Sequence, residues 1–246
     1  MKIVIIGGHG KVALLATPLL VAVGHQVTSV IRSQDQAVDV EQAGATPLVA
    51  DIEQLGRERI GEIIRGHEAL VWSAGAGGGD PKRTFAVDRD AAIRTIDAAQ
   101  AEGVNRFVMI SYAGAGRDDV APDSSFRPYA ESKAEADAHL RQSNLAWTIL
   151  GPGMLTLDEP SLHIEYGPHV TGGPTSRANV AQVLLATLPR TDHAGATINF
   201  RDGNVAIEEA MEMIARQLAD NPVAPLREGF PQPFPEPGTP GDLTGR

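Results

Sequence analysis

The sequence predicts an α/β protein built on a doubly wound, mainly parallel sheet with helices on both faces. Short apolar runs alternate with helical segments along the chain, and a glycine cluster follows the first of these runs. The 246 residues are enough for one large domain, which we expect to cover residues 1–220. Because crossovers between parallel strands are right-handed, the strand order 3-2-1-4-5-6 is predicted.

The first strand is predicted at residues 3–6, a continuous apolar run typical of a strand buried on both faces. The segment that follows carries the predicted phosphate-binding residues Gly7, Gly8, His9, Gly10, Lys11 and Val12. Gly7 can adopt positive φ, and Gly10 leaves room for a pyrophosphate. Free N–H groups at the start of the helix predicted at 11–23 face that pyrophosphate. With a second strand at 26–31, this unit predicts a dinucleotide site; the alternative is a turn that binds no ligand.

The end of the second strand carries Arg32 and Ser33. An arginine at this position suits the 2′-phosphate of NADP(H), so we expect NADP(H) to be preferred, with NAD(H) as the other option. A solvated surface arginine is the alternative. A short helix at 36–43 and a third strand at 46–50 lead to Asp51 and Ile52, which can accept from the adenine amine and pack on its ring. Asp51 is alternatively the N-cap of a helix that begins near Glu53.

A fourth strand is predicted at 69–73, and it runs into a glycine-rich stretch. Ser73, Ala74 and Gly75 are predicted to contact the cofactor ribose, because ligands of doubly wound sheets bind at the carboxyl ends of the strands. A flexible loop is the alternative. A long helix at 83–102 and a fifth strand at 106–110 follow.

Ser111, Tyr129 and Lys133 are the candidate catalytic residues. The four-residue spacing puts Tyr129 and Lys133 on one helix face, where the lysine charge can stabilise a phenolate. Ser111 follows a strand and can donate to a substrate oxygen. These three residues predict a reduction in which the nicotinamide supplies a hydride and Tyr129 a proton. A helix with a solvated lysine and one aromatic edge is the alternative.

The composition limits the classes of partner. A net charge of −10 argues against nucleic acid or an anionic membrane, and the absence of cysteine excludes disulfides and thiolate chemistry. No apolar run reaches membrane-spanning length, so we expect a cytoplasmic protein with a small-molecule substrate, as a monomer or a homodimer. Two histidines and a carboxylate at 163–169 lack metal-ligand spacing, so no metal site is predicted.

The motifs together resemble those of the short-chain dehydrogenase/reductase superfamily. The resemblance is stronger to its atypical branch of NAD(P)H-binding Rossmann proteins, which is similar to NmrA-type regulators and to biliverdin and flavin reductases. It rests on the glycine segment, Arg32, residues 50–52, residues 87–90, Ser111 with Tyr129 and Lys133, residues 151–155 and residues 176–181. It implies an NADPH-dependent reductase, with an NADP(H)-sensing regulator or a sugar-nucleotide epimerase as the alternatives. The family commonly has an asparagine near position 88, where this chain has Asp88.

The resemblance also implies that Pro152, Gly153 and Met154, after a sixth strand at 147–150, lie beside the nicotinamide. Residues 152–176 are rich in turn formers and predict a substrate loop. A helix at 177–188, a strand at 196–200 and a closing helix at 207–218 complete the domain. The last 26 residues, 221–246, are proline-rich and predict an extended tail, which Phe230 and Phe234 either pin to the body or leave free.

Overall fold

The computed structural model describes residues 1–77, 80–116 and 120–220. In these residues a nine-stranded, mostly parallel sheet has helices on both faces. The proline-rich tail, with Phe230 and Phe234, lies outside the described residues, as do Gly78 and Gly79 of the glycine-rich stretch. The sheet has the order β11-β8-β10-β6-β5-β4-β1-β2-β3, so the predicted order 3-2-1-4-5-6 is confirmed.

The strands that form the parallel part of the sheet are β1 (Lys2–Ile6), β2 (Gln26–Ile31), β3 (Thr46–Val49), β4 (Ala69–Trp72), β5 (Arg106–Ile110), β6 (Ala146–Pro152) and β10 (Ala196–Asp202). The remaining strands are β7 (Met154–Thr156), β8 (His163–Tyr166), β9 (Pro174–Ser176) and β11 (Val205–Ala206). The helices are α1 (Lys11–Ala22), α2 (Ala37–Gln42), α3 (Arg57–Ile64), α4 (Pro81–Thr84), α5 (Ala92–Glu102), α6 (Arg127–Gln142), α7 (Arg177–Thr187) and α8 (Ile207–Asp220).

Strand β1 is buried on both faces, as its apolar run predicts. Ile3 and Ile5 belong to the core that α1, α7 and α8 cover, whereas Val4 and Ile6 belong to the core under α3, α5 and α6. Alternate side chains of one strand therefore join two helical layers to the sheet. The carboxyl ends of the parallel strands meet at one edge of the sheet, and the loops at this edge form the candidate site.

The helix predicted at 83–102 differs from the prediction in its start and in its geometry. It begins at Pro81, after Asp80 caps it by accepting from the Lys82 N–H at 2.9 Å. Residues Phe85–Ala91 then form a π-helical segment before α5 begins. Such segments insert an extra residue per turn and are frequent at functional sites, and this one buries Asp88. A π segment has no distinct sequence signature, so the sequence predicted one regular helix.

Residues 152–176 were predicted to form a loop without strands, and the structure differs because three short strands lie there. Strand β7 pairs with β9 in a separate parallel ribbon, and β8 pairs antiparallel with β10 and β11 at the edge of the main sheet. Strands of three or four residues between prolines and glycines do not show the alternation by which strands are recognised. No helix of the described residues is long and apolar enough to cross a bilayer.

Candidate functional site

The glycine loop is pressed against the two neighbouring strand ends. Gly7 has φ of +85°, and a Cβ there would lie 2.6 Å from the Ala74 Cα. A Cβ on Gly8 would lie 2.3 Å from the Ser29 Cβ on β2. Glycine is therefore required at both positions, at Gly7 for conformation and contact and at Gly8 for contact with the neighbouring strand. Gly7 and Gly8 donate their N–H groups to the Val30 carbonyl, and Gly10 donates to the Gly7 carbonyl. The N–H groups left for a ligand therefore include those of the first turn of α1.

This packing predicts the effect of adding one methyl group. Gly8→Ala is expected to lower the free energy of unfolding by about 1–3 kcal/mol, because its Cβ must displace Ser29. Chemical denaturation measures this loss. Gly172→Ala is the control, because its Cβ would meet nothing within 4 Å. Equal stability of the two variants would contradict the tight contact between the loop and β2.

A groove of about 280 Å³ lies above the loop, and we call it the cofactor groove. Nine of the predicted cofactor residues line it, namely Gly7, His9, Gly10, Arg32, Asp51, Ile52, Ser73, Ala74 and Gly75. Gly8, Lys11, Val12 and Ser33 do not line it. Lys11 and Val12 occupy the first turn of α1, where Val12 is buried in the core and Lys11 is exposed.

Arg32 is an exposed residue that lines the cofactor groove. Its backbone N–H donates to Gln36 Oε1 at 3.0 Å, which ties the end of β2 to the following turn. Within the described residues its guanidinium forms no hydrogen bond or ion pair, and the side chain is exposed. An exposed guanidinium beside a nucleotide-sized groove is able to pair with a phosphate.

Sequence reasoning missed two residues that close the other side of this groove. The Arg83 side chain donates through Nε to Glu53 Oε2 at 3.1 Å and through Nη1 to the Ala76 carbonyl. Both residues line the groove. Their pairing joins segments 30 residues apart in sequence, and no local pattern signals such a contact.

Asp51 does not cap a helix at Glu53, because α3 begins only at Arg57 with Gly56 as its N-cap. Asp51 Oδ1 instead accepts from the Glu53 N–H at 3.2 Å in a turn. The capping alternative is therefore wrong, and Asp51 is one of the residues that line the cofactor groove.

The predicted catalytic residues converge beside a second cavity of about 390 Å³, which we call the substrate cavity. Ser111 and Tyr129 line it together with Pro152, Gly153 and Met154, so the five residues predicted for the reacting end share one space. Lys133 lies beneath Tyr129 and does not line the cavity. Its ammonium is 5.8 Å from the centre of the Tyr129 ring.

Lys133 is buried, with 3% of its surface exposed, and is held by two groups. Its Nζ donates to the Ile110 carbonyl at 3.2 Å and forms an ion pair with Asp88 Oδ1 at 3.5 Å. Burial acts against the ammonium, but Tyr129, Asp88 and Asp137 outweigh burial and raise the pKa of Lys133. The side chain is therefore a fixed cation at neutral pH.

Asp88 is the π-segment residue at the position where the resembling family has asparagine. Its Oδ2 accepts from the Ala76 N–H at 2.9 Å, and its Oδ1 faces Lys133. This carboxylate thus joins the glycine-rich end of β4 to the lysine of α6. A buried cation needs a partner of opposite charge, which an asparagine would not supply.

Tyr129 keeps its proton in this environment. Burial raises the pKa of the Tyr129 phenol, and the Lys133 charge offsets only part of the effect, while Asp88 and Asp137 add to it. The Lys133 charge acts in the expected direction but does not bring the pKa of the phenol below its ordinary value. At neutral pH Tyr129 is therefore protonated, which is the state in which its hydroxyl can donate a proton.

Ser111 has a partner that sequence reasoning missed. Its hydroxyl donates to Asp137 Oδ2 at 2.7 Å, and both residues are buried. Asp137 follows Lys133 by one turn of α6, so the spacing of Tyr129, Lys133 and Asp137 at intervals of four was the available signal. Burial raises the pKa of the Asp137 carboxyl to about 6, although Ser111, Arg141 and Lys133 act to lower it.

Aromatic side chains form one wall of the substrate cavity. The rings of Tyr112, Phe126 and Tyr129 pack in a triangle with centroid distances of 5.3–5.6 Å. Met154 at the opening is 69% exposed. An apolar wall with a phenol and a serine hydroxyl suits an apolar ligand that carries a polar oxygen.

The fold and the two cavities define a dinucleotide-binding Rossmann protein. The chain matches the NAD(P)H-binding family over residues 7–191 and belongs to that family. A UPF0659 protein of Saccharomyces cerevisiae is 36% identical over 228 residues, which are 89% of this chain and 99% of the yeast protein.

Solved structures share the same fold. That of a proposed NAD-dependent epimerase/dehydratase of Bacillus halodurans has a TM-score of 0.81 and 28% identity, covering 87% of this chain and 99% of that one. The anaerobilin reductase ChuY of Escherichia coli has a TM-score of 0.68 and 21% identity, covering 83% of this chain and 98% of that one. The predicted resemblance to NAD(P)H-binding Rossmann proteins is confirmed.

Proposed function

We propose that this protein is an NADPH-dependent reductase that transfers a hydride to a small apolar carbonyl compound or a related electrophile. The observation that carries the proposal is the arrangement of Tyr129 and Ser111 in one cavity with Lys133 buried beneath them. The cofactor groove supports it, because Gly7 and Gly10 of the glycine loop line the groove at the start of α1. When bound, the nicotinamide supplies the hydride.

The residues of this chain then have separate tasks. Tyr129 donates a proton to the substrate oxygen, since its pKa is raised and the phenol is protonated at neutral pH. Lys133 supplies the positive charge that stabilises the phenolate left behind. Ser111 orients the substrate oxygen, and the aromatic wall excludes water around the reacting carbon.

Asp88 keeps Lys133 in position rather than touching the substrate. Its carboxylate faces the lysine at 3.5 Å and is fixed by the Ala76 N–H, next to the glycine-rich end of β4. An ion pair takes the place of the neutral amide that the resembling family has here. The lysine is thereby oriented and stays charged despite its burial.

We propose that Arg32 makes NADPH the preferred cofactor. The supporting observation is the exposed Arg32 side chain that lines the groove and forms no ion pair within the described residues. A 2′-phosphate would supply the missing partner, and an arginine pairs with phosphate through two parallel hydrogen bonds.

The experiment that tests the reductase is steady-state oxidation of NADPH against a panel of carbonyl compounds, quinones and flavins. Turnover of at least one apolar acceptor, with NADPH favoured over NADH, is the expected result. Tight binding of NADPH without turnover on the whole panel would contradict the reductase and favour a cofactor-sensing regulator. An isomerised sugar nucleotide with no net oxidation of cofactor would favour an epimerase.

A further inference from the structure

The hydrogen bond between Ser111 and Asp137 constrains what Ser111 can do. A serine hydroxyl has one hydrogen, and in this structure that hydrogen is donated to Asp137 Oδ2 at 2.7 Å. While Asp137 is ionised it can only accept, so the Ser111 hydrogen is committed to it. A protonated Asp137 can donate to the Ser111 oxygen instead, and the hydroxyl hydrogen is then free for a ligand in the substrate cavity.

We propose that Asp137 is a positioning residue whose proton sets the direction of the Ser111–Asp137 hydrogen bond. Ser111 donates to the substrate oxygen only while Asp137 carries that proton. The inference rests on the proposed reductase, because it concerns the substrate oxygen of that reaction. It assigns to Asp137 control of the serine, a task separate from the proton donation by Tyr129.

The surroundings of Asp137 allow its proton to exchange. Ser111 lines the substrate cavity, whereas Asp137 lines a different cavity of about 700 Å³ between α6, β10 and α8. The bonded pair therefore connects the two spaces. The larger cavity gives a proton a route to Asp137 that does not pass through the substrate cavity.

Burial makes the protonated form accessible near neutral pH. Asp137 is 1% exposed, and its Oδ1 has no hydrogen-bond partner among the described residues. An ionised carboxylate with one unsatisfied oxygen is poorly stabilised in such a site. The titratable groups that act on Asp137 are Tyr129, Lys133 and Arg141 on its own helix, while Asp88 acts on Lys133 from the π segment. Tyr112 and Tyr166 line the same cavity. The residues of β10 that line the same cavity are uncharged, namely Ala196, Thr197, Ile198 and Asn199.

The sign of the pH dependence follows from this pairing. Below the pKa of Asp137, about 6, the carboxyl is protonated and Ser111 is free to donate. Above this pKa Asp137 is ionised and Ser111 donates its hydrogen to Asp137. The kcat/KM of the reduction is therefore expected to fall about tenfold for each pH unit. Tyr129 does not produce this fall, because its pKa is raised from its ordinary value.

The kinetic test compares pH profiles from pH 5 to 9 in wild type, Asp137→Asn and Asp137→Leu. Neither variant side chain ionises, so both are expected to give flat profiles, and Asp137→Leu leaves the Ser111 hydrogen free. NADPH affinity and thermal unfolding serve as controls for folding. A falling limb that persists unchanged in both variants would overturn the proposal, as would a flat profile in the wild type.

A second measurement does not depend on turnover. Carbon-13 NMR of labelled aspartate carboxyls follows the titration of Asp137, whose signal is identified by its loss in Asp137→Asn. The midpoint is expected near 6 in the wild type and higher in Ser111→Ala, where the ionised carboxylate loses its donor. A midpoint near 4, or no shift in Ser111→Ala, would overturn the proposal. If these NMR results hold but no acceptor is reduced, the proposed reductase fails and the Ser111–Asp137 coupling stands.

Discussion

Tyr129→Phe is expected to reduce kcat about 100- to 10,000-fold while leaving NADPH affinity nearly unchanged. The substitution removes only the phenolic hydroxyl, so the substrate oxygen loses its proton donor, and general acids contribute rate factors of this size. The ring stays in the aromatic triangle with Tyr112 and Phe126, so the cavity wall is retained. NADPH oxidation with an accepted substrate and a fluorescence titration of NADPH give the two quantities.

The matched control for this substitution is Tyr166→Phe. Tyr166 lies on β8 and lines the larger cavity, so its hydroxyl is removed without any change in the substrate cavity. The control is expected to keep wild-type turnover. Persistent turnover in Tyr129→Phe would refute the assignment of Tyr129 as proton donor.

Arg32→Glu is expected to weaken NADPH binding about 100-fold and to leave NADH binding nearly unchanged. The change removes a charge-assisted pair with the 2′-phosphate and places a carboxylate against it. NADH lacks that phosphate, so the cofactor preference reverses. Dissociation constants of NADPH and NADH for the wild type and the variant, measured at one fixed ionic strength, test this reversal.

Arg57→Glu supplies the control for the change in net charge. Arg57 is an exposed arginine at the start of α3 that pairs with Glu58 and does not line the cofactor groove. Its replacement alters the charge of the chain equally and is expected to leave both affinities unchanged. Equal NADPH affinity in wild type and Arg32→Glu would refute the proposal that Arg32 binds the 2′-phosphate.

The sequence was sufficient to predict the parallel core of the fold, because its signals are local. The apolar run at 3–6 is buried on both faces, and Gly7 adopts the positive φ that the turn after it requires. The edge of the sheet was not predicted, since β8 and β11 are short and become strands only by pairing with β10 and with each other. The π segment was missed because such a segment has no distinct sequence signature, and the contacts of Asp88 with Ala76 and Lys133 join residues distant in sequence.

In the candidate site, too, the features with local sequence signals were predicted and those set by tertiary contacts were not. Tyr129 and Lys133 share a helix face as their four-residue spacing predicts, and Ser111 follows its strand into the same cavity as Tyr129. The state of these groups could not be predicted, because it depends on burial and on partners distant in sequence. Asp137 is 26 residues from Ser111 in sequence, and it accepts the hydrogen that Ser111 would otherwise donate to a ligand.

The most direct test of the account is a titration of the wild-type protein with NADPH and NADH by calorimetry under identical conditions. We expect saturable binding at a single site, at least tenfold tighter for NADPH, with 2′-phosphoadenosine competing for the same groove. Because the proposed hydride transfer requires a dinucleotide in the groove between β1, β2 and β4, binding of neither cofactor would contradict the proposed function.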